Sequence, residues 1–213
     1  MPRVDTTDIS RRSEKWQARR EAIIDTSARL FARRGYHATG INELCEANDL
    51  GKGALYHYIG SKEELLAAIH DRVMDEVAGG AERVAEAGGS PTVQLGKLGD
   101  EMVEVIHRYP DHVWVFMHEF PALTGDRAAK FRERRRGYEL QLEGVLRAGI
   151  DSGDFRDLDP WLTARAWLGM MNYTYLWLRP GGHLEARDVA KPFTEIFMRG
   201  IEGAHRSPDQ GAE

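Results

Sequence analysis

Apolar residues recur at three- and four-residue spacing along most of the chain, the period of helices with one buried face, and no run alternates as a half-buried strand does. From Trp16 to Arg34, the positions Ile23, Ile24, Leu30 and Phe31 form one stripe, and Gly35 suits the C-cap that ends such a helix. A second, shorter helix spans 40–47 with Thr39 as its expected N-cap, and Asn48-Asp49 supplies a turn able to adopt a left-handed backbone. A third follows from Gly51 to Ile59 and breaks at Gly60, after which Ser61 and Glu64 are spaced as a capping box. Leu65, Leu66, Ile69, Val73 and Val77 then make a long helix that fades at Gly79-Gly80 or continues to Gly88-Gly89.

The rest repeats this pattern. Ser90-Pro91 reads as N-cap and first helical residue, with Val93, Leu95, Leu98, Met102, Val105 and Ile106 as the stripe until Tyr109-Pro110. A short apolar helix follows from Asp111 to Phe120, then a long one over 125–151 with a polar front and an apolar rear. Asp159-Pro160 opens a helix that is apolar nearly all round and runs through Trp177, and the last spans Glu185 to Gly203. The pattern therefore predicts an all-α fold of about nine helices, with no repeats.

The third helix carries the chemistry. At 100° per residue it puts Lys52, Gly53, Tyr56 and His57 on one face and Ala54, Leu55, Tyr58 and Ile59 on the other. A cation, a bare backbone position, a phenol and an imidazole on an outward face suit phosphates and base edges. Two short helices joined by a tight turn are the frame of a helix-turn-helix. Lys62 follows at the N-terminus of the next helix, where free backbone amides already favour an anion.

The run from Ile23 to Leu65, with Gly35-Tyr36, Thr39, Leu44, Leu50, Lys52-Gly53, Leu55-Tyr56 and Ser61-Lys62-Glu63-Glu64-Leu65 in order, resembles the N-terminal domain of TetR-type transcriptional regulators. Asp49 stands where that family has Gly, Gly51 where it has Ser or Thr, and Ile59 where it has an aromatic residue; these departures keep the fold and bear on base preference. The resemblance implies a three-helix DNA-binding domain, a C-terminal helical domain that binds a small molecule, and a homodimer formed by the last two helices. DNA contacts are expected from Thr39, Gly51, Lys52, Gly53, Tyr56, His57 and Lys62, with a double-stranded DNA operator as partner, and no enzyme is expected because the sequence offers no convincing nucleophile, paired carboxylates in an apolar setting or metal cluster. The expected domains are a disordered basic arm over 1–15, the helix-turn-helix over 16–64, the ligand-binding and dimerisation domain over 65–204, and a disordered tail over 205–213.

Charge sharpens this division. Residues 1–62 hold 11 Lys+Arg against 8 Asp+Glu, leaving 18 against 26 for 63–213, so a basic front precedes an acidic rear. Arg3, Arg11, Arg12 and Lys15 suit either a plain polar tail or an arm that touches DNA. One cysteine, Cys45, excludes an intramolecular disulfide framework, and neither a signal-peptide core nor a membrane-spanning run is present, so a cytoplasmic protein is expected.

Trp114, Phe116, Met117, Phe120, Phe131, Tyr138, Trp167, Met170 and Met171 are the expected lining of an apolar ligand pocket. Any one of them is equally at home in an ordinary core. The stretch Tyr175–Leu184 is similar to the corresponding turn of actinobacterial regulators that answer to acyl-CoA intermediates, and the arginines within 132–136 suit either coenzyme A phosphates or a solvated helix face. His107, His112 and His118-Glu119 lack metal-site spacing, and Gly51-Lys52-Gly53 lacks the context of a nucleotide loop, so neither metal nor cofactor is expected. A helical scaffold protein with a vestigial DNA-binding domain is the alternative. It would have no need for the outward cations that are present here.

Overall fold

The computed structural model describes residues 6–203. It comprises α1 (Thr6–Arg34), α2 (Ile41–Asn48), α3 (Lys52–Ile59), α4 (Lys62–Ala87), α5 (Pro91–Arg108), α6 (Pro110–His118), α7 (Gly125–Ser152), α8 (Pro160–Asn172) and α9 (Ala186–Ile201). Two 3-10 turns, Phe120–Ala122 and Tyr173–Leu176, follow α6 and α8. Extended pairing among the described residues is one isolated bridge, Phe155 with Glu202.

The helix boundaries differ from the sequence pattern in three places. First, α1 reaches back to Thr6, although an arm without regular structure was expected through residue 15; residues 1–5 and the expected tail over 205–213 lie outside the described residues. Extending an existing helix adds a hydrogen bond for each residue fixed, so a polar segment with no buried stripe can still follow it. Second, α4 continues through Gly79-Gly80 to Ala87. Third, α8 ends at Asn172 and tightens into the 3-10 turn, with the Thr174 hydroxyl donating to the Met171 carbonyl at 2.8 Å, so Trp177 lies beyond the helix rather than on it.

Packing divides the chain into two units, and the division is not the one expected at residue 64/65. One unit holds the chain through Val73 together with Asp111–Phe131. Its core joins Ile24, Phe31, Leu44, Leu55 and Leu66 to Val115, Leu123 and Phe131, all buried. Each such side chain contributes about 1.5–3 kcal/mol through burial. The second strand of chain is further fixed by polar contacts: the Tyr36 N–H donates to Glu119 Oε1 at 2.9 Å, and Thr124 donates through its N–H and its hydroxyl to Glu63 Oε1 at 3.1 and 2.8 Å.

The other unit holds Met74–Pro110 and the chain from Arg132 onward. Leu95, Ile106, Leu142, Leu146, Trp167 and Met171 are its fully buried centre. Its α5 and α9 pack so closely at Gly99 that a Cβ there would lie 2.6 Å from Thr194 Oγ1. Asp159 caps α8 by accepting from the Trp161 and Leu162 N–H groups, as Ser90 caps α5 by accepting from Val93 N–H.

Candidate nucleic-acid interface

The turn between α2 and α3 is held from three sides. Asp49 takes the left-handed conformation, φ 51° and ψ 52°, and its N–H faces the Cys45 and Glu46 carbonyls. Buried Asn48 donates to the Leu44 carbonyl at 2.8 Å, and Arg19 of α1 reaches the Asn48 carbonyl at 2.7 Å. The turn is thus fixed even though Asp replaces glycine at the strained position, because a short polar side chain tolerates it.

From this turn α3 projects with Gly51 as its N-cap and Leu55 and Ile59 buried against the core. Lys52, Gly53, Tyr56 and His57 are exposed together, as the helical spacing predicted, and the cap Gly51 is exposed beside them. Ala54, expected on the inner face, is exposed too, and Tyr58 is half-buried. Leu55 and Ile59 set the buried direction of α3, and Ala54 lies 100° or more around the helix from both, at the edge of the inner half. A Cβ added at Gly51 or Gly53 would meet nothing within 4 Å, so the fold itself does not require glycine there.

Two expected contacts sit differently. Thr39 is fully buried and its hydroxyl donates to the Gly35 carbonyl at 2.8 Å, while Gly40 is the N-cap of α2 and receives Glu43 Oε2 on its N–H at 2.8 Å. The Thr39 side chain therefore shapes the loop between α1 and α2, and it faces inward rather than toward a partner. Lys62 is half-buried at the start of α4, with its ammonium 4.3 Å from the Tyr36 ring centre, and burial pulls its pKa down while Glu119 pushes it up. Ser61 does cap α4, accepting from the Glu64 N–H at 3.0 Å, but the Glu64 carboxylate pairs with Arg127 at 2.7 Å and does not close a capping box.

Sequence reasoning missed one residue on this face. Trp16 of α1 donates from Nε1 to His57 Nε2 at 3.3 Å and stacks on Tyr58, with ring centres 5.7 Å apart at 29°. Its isolation from any apolar stripe was the available signal.

The expected pocket residues are divided between the units. Trp114, Met117, Phe120 and Phe131 belong to the first, where Phe131 packs with Phe116 (5.2 Å between ring centres) and stacks on Phe120 (5.9 Å). Buried His70 joins them, its Nδ1 2.9 Å from the Leu66 carbonyl and its pKa lowered by desolvation. Tyr138, Trp167, Met170 and Met171 belong to the second unit. There Tyr138 is buried with its phenol pKa raised by desolvation, and Trp167 Nε1 is buried without a hydrogen-bond partner. A 540 Å³ groove in this unit is lined instead by α5 and α9, including Asp100, Glu104, Arg187, Lys191 and Thr194.

The arginine run is largely paired. Arg134 reaches Asp75 at 2.5 Å, Arg135 reaches Glu139 at 3.4 Å, and Arg136 reaches buried Glu143 at 2.7 Å. Those guanidiniums are held by carboxylates of the protein rather than left open for phosphates. His112 lies 3.2 Å from Asp25, His107 3.8 Å from Glu185, and His118 2.9 Å from the Trp114 carbonyl. No cluster of three or more metal-ligating side chains occurs among the described residues.

On the second unit Trp161, Leu162, Tyr173, Leu176, Trp177 and Ile196 stand exposed, Ile196 at 66%. The sequence pattern expected this region to be covered on every side, and in the single chain it is not.

A helix-turn-helix whose second helix offers an unobstructed, partly cationic face on a rigid core defines a DNA-binding regulator. The family model described as bacterial regulatory proteins, tetR family, matches residues 23–69, and the model described as tetracyclin repressor-like, C-terminal domain, matches residues 88–201. The chain belongs to the TetR family of transcriptional regulators, which bind DNA and are not enzymes. It is 29% identical over 194 residues to the HTH-type transcriptional repressor KstR2 of Rhodococcus jostii, covering 88% of this chain and 93% of that protein. Among solved structures it is similar to the ketosteroid transcriptional regulator KstR2 of Mycobacterium tuberculosis (TM-score 0.83, 27% identity, 87% of this chain and 96% of that one). It is also similar to AibR in complex with isovaleryl coenzyme A and operator DNA (TM-score 0.75, 31% identity, 84% of this chain and 97% of that one). No helix among the described residues is long and apolar enough to cross a membrane.

Proposed function

We propose that this protein is a homodimeric repressor that leaves a palindromic operator when a hydrophobic effector, of the acyl-CoA class, binds it. The observation that carries the reading is the exposed face of α3. Gly51, Lys52, Gly53, Tyr56 and His57 stand outward together while Leu55 and Ile59 anchor the helix. Lys52 and Gly53 approach base edges, whereas Tyr56, His57 and Lys62 engage phosphates. Thr39, being buried, acts by holding the loop.

One such helix reads too few base pairs, and two related by a two-fold axis fit successive major grooves about 34 Å apart. The apolar face formed by Trp161, Leu162, Leu176, Trp177 and Ile196 supports a dimer through α8, α9 and the turn between them, because a lone chain would leave those side chains in water. The protein works in the cytoplasm, where its DNA is.

The effector class rests on the relatives named above, one a ketosteroid regulator and one bound to an acyl-CoA, and the Arg134–Arg136 pairing gives it no added support. The unpartnered donor of Trp167, whose ring meets Gly99 alongside Met171, suits an effector that carries a carbonyl acceptor. Release requires the effector to bind the DNA-incompetent conformation more tightly.

The test is a mobility-shift titration against the upstream DNA of its own gene, with and without long-chain and steroid-derived acyl-CoA thioesters. Specific binding relieved by a thioester is the expected result. Specific binding indifferent to every thioester overturns the effector class, and absence of specific binding overturns the repressor.

A further inference from the structure

We propose that Trp16 is a positioning residue for operator recognition: it fixes the His57 ring as a hydrogen-bond donor through Nδ1, so the recognition surface includes the N-terminal half of α1. The inference rests on the proposed role of α3.

An indole nitrogen can only donate, so the His57 nitrogen that receives it must carry a lone pair. Trp16 Nε1 lies 3.3 Å from His57 Nε2. In the neutral ring the proton then sits on Nδ1, and that nitrogen becomes the donor. Exposed His57 thereby offers a donor suited to an acceptor of the duplex, either a phosphate oxygen or the N7 or O6 of a purine.

The ring is also held in place. Trp16 meets it edge-on, with ring centres 6.3 Å apart at 85°, and lies on Tyr58 at 5.7 Å. Tyr58 in turn sits 5.6 Å from His57 at 71°. A free histidine on a helix surface samples several rotamers and both tautomers. One packed between two other rings has already lost that freedom before DNA arrives, which favours binding.

Burial in the core of the first unit does not account for Trp16. It is 37% exposed and lies seven residues before Ile23, the first buried residue of the α1 stripe. A large aromatic residue there serves the face of α3.

The experiment pairs a spectroscopic measurement on the free protein with a double-mutant cycle on DNA. In mildly alkaline buffer, ring nitrogen NMR of the full chain is expected to show His57 with its proton on Nδ1, and Trp16→Phe is expected to give a mixture of tautomers without loss of fold, since phenylalanine keeps the stack on Tyr58. Trp16→Phe weakens operator binding by about two- to tenfold, the effect of one hydrogen bond, and has no further effect in a His57→Ala background. An Nε2-protonated His57 in the parent protein overturns the proposal, as does a Trp16→Phe loss that persists unchanged in His57→Ala. A loss equal across operator variants assigns the acceptor to phosphate, and one confined to particular base substitutions assigns it to a base edge; either result supports the donor. If the parent binds no DNA specifically, the repressor reading fails, while the tautomer measurement still decides whether Trp16 sets the ring.

Discussion

Gly53 is the position where folding and DNA binding make opposite demands. It lies in α3, is exposed, and has a backbone angle outside the left-handed region, and a Cβ built there meets no atom within 4 Å. For the isolated protein glycine is the poorer choice, because an exposed helical glycine is less favourable than alanine by up to about 1 kcal/mol. Gly53→Ala is therefore expected to raise the free energy of urea unfolding by a few tenths to about 1 kcal/mol. Against DNA the methyl group comes between the helix backbone and the groove floor or a phosphate. A steric conflict of about 1–3 kcal/mol corresponds to a roughly 5- to 150-fold weaker operator complex. Unfolding midpoints and operator titrations on the same preparation read the two effects independently, and Gly53→Val should widen the gap between them. If Gly53→Ala stabilises the protein and leaves operator affinity untouched, α3 does not bring this face to DNA. If it destabilises the protein, the open space around Gly53 is wrong.

Three other outcomes follow from the geometry. Lys62→Ala should weaken binding to all duplexes alike and lower the salt dependence by about one ion; a changed preference among sequences with an unchanged salt slope would refute the phosphate role. His112 is held down to about 4 from 6.5, first by burial and then by Arg72 and Arg29. The unfolded chain therefore binds a proton in that interval that the folded chain does not, and stability present above pH 6.5 is lost as pH falls toward 4, by at most about 3 kcal/mol. Burial of His70 acts in the same direction and the raised Asp25 pKa opposes it, so His112→Gln should flatten, not abolish, the acid limb of stability against pH; an unchanged slope would refute the assignment. Ile196→Glu alters a side chain that is 66% exposed, so sedimentation should show a monomer with an intact fold, and a persisting dimer would place the interface elsewhere.

The helices and the outward face of α3 were legible because both follow from period: Leu55 and Ile59 fall four apart and bury on one side, whereas Lys52, Tyr56 and His57 turn to the other. What was not legible depended on contacts between distant segments. Thr39 reads as a cap from its neighbours, and only the fold shows its hydroxyl turned to Gly35. Glu64 reads as the partner of Ser61 until Arg127, 63 residues away, takes its carboxylate. Composition carries no address either: that Phe131 belongs to one unit and Trp167 to the other is set by packing. Trp16 was passed over because a lone aromatic in a polar stretch has no period to betray its partner, His57, 41 residues on.

The core shared by the N-terminal helices and Asp111–Phe131 makes the head of this protein a spliced object. A fragment ending at Val73 would expose the surfaces that Val115, Leu123 and Phe131 cover and strand Glu63 without Thr124. Excision at the obvious helix boundary should thus yield a sticky, partly molten peptide. Transplanting this head whole therefore takes two separate stretches of the chain, the one through Val73 and Asp111–Phe131, and moving only the first would leave its core without a wall.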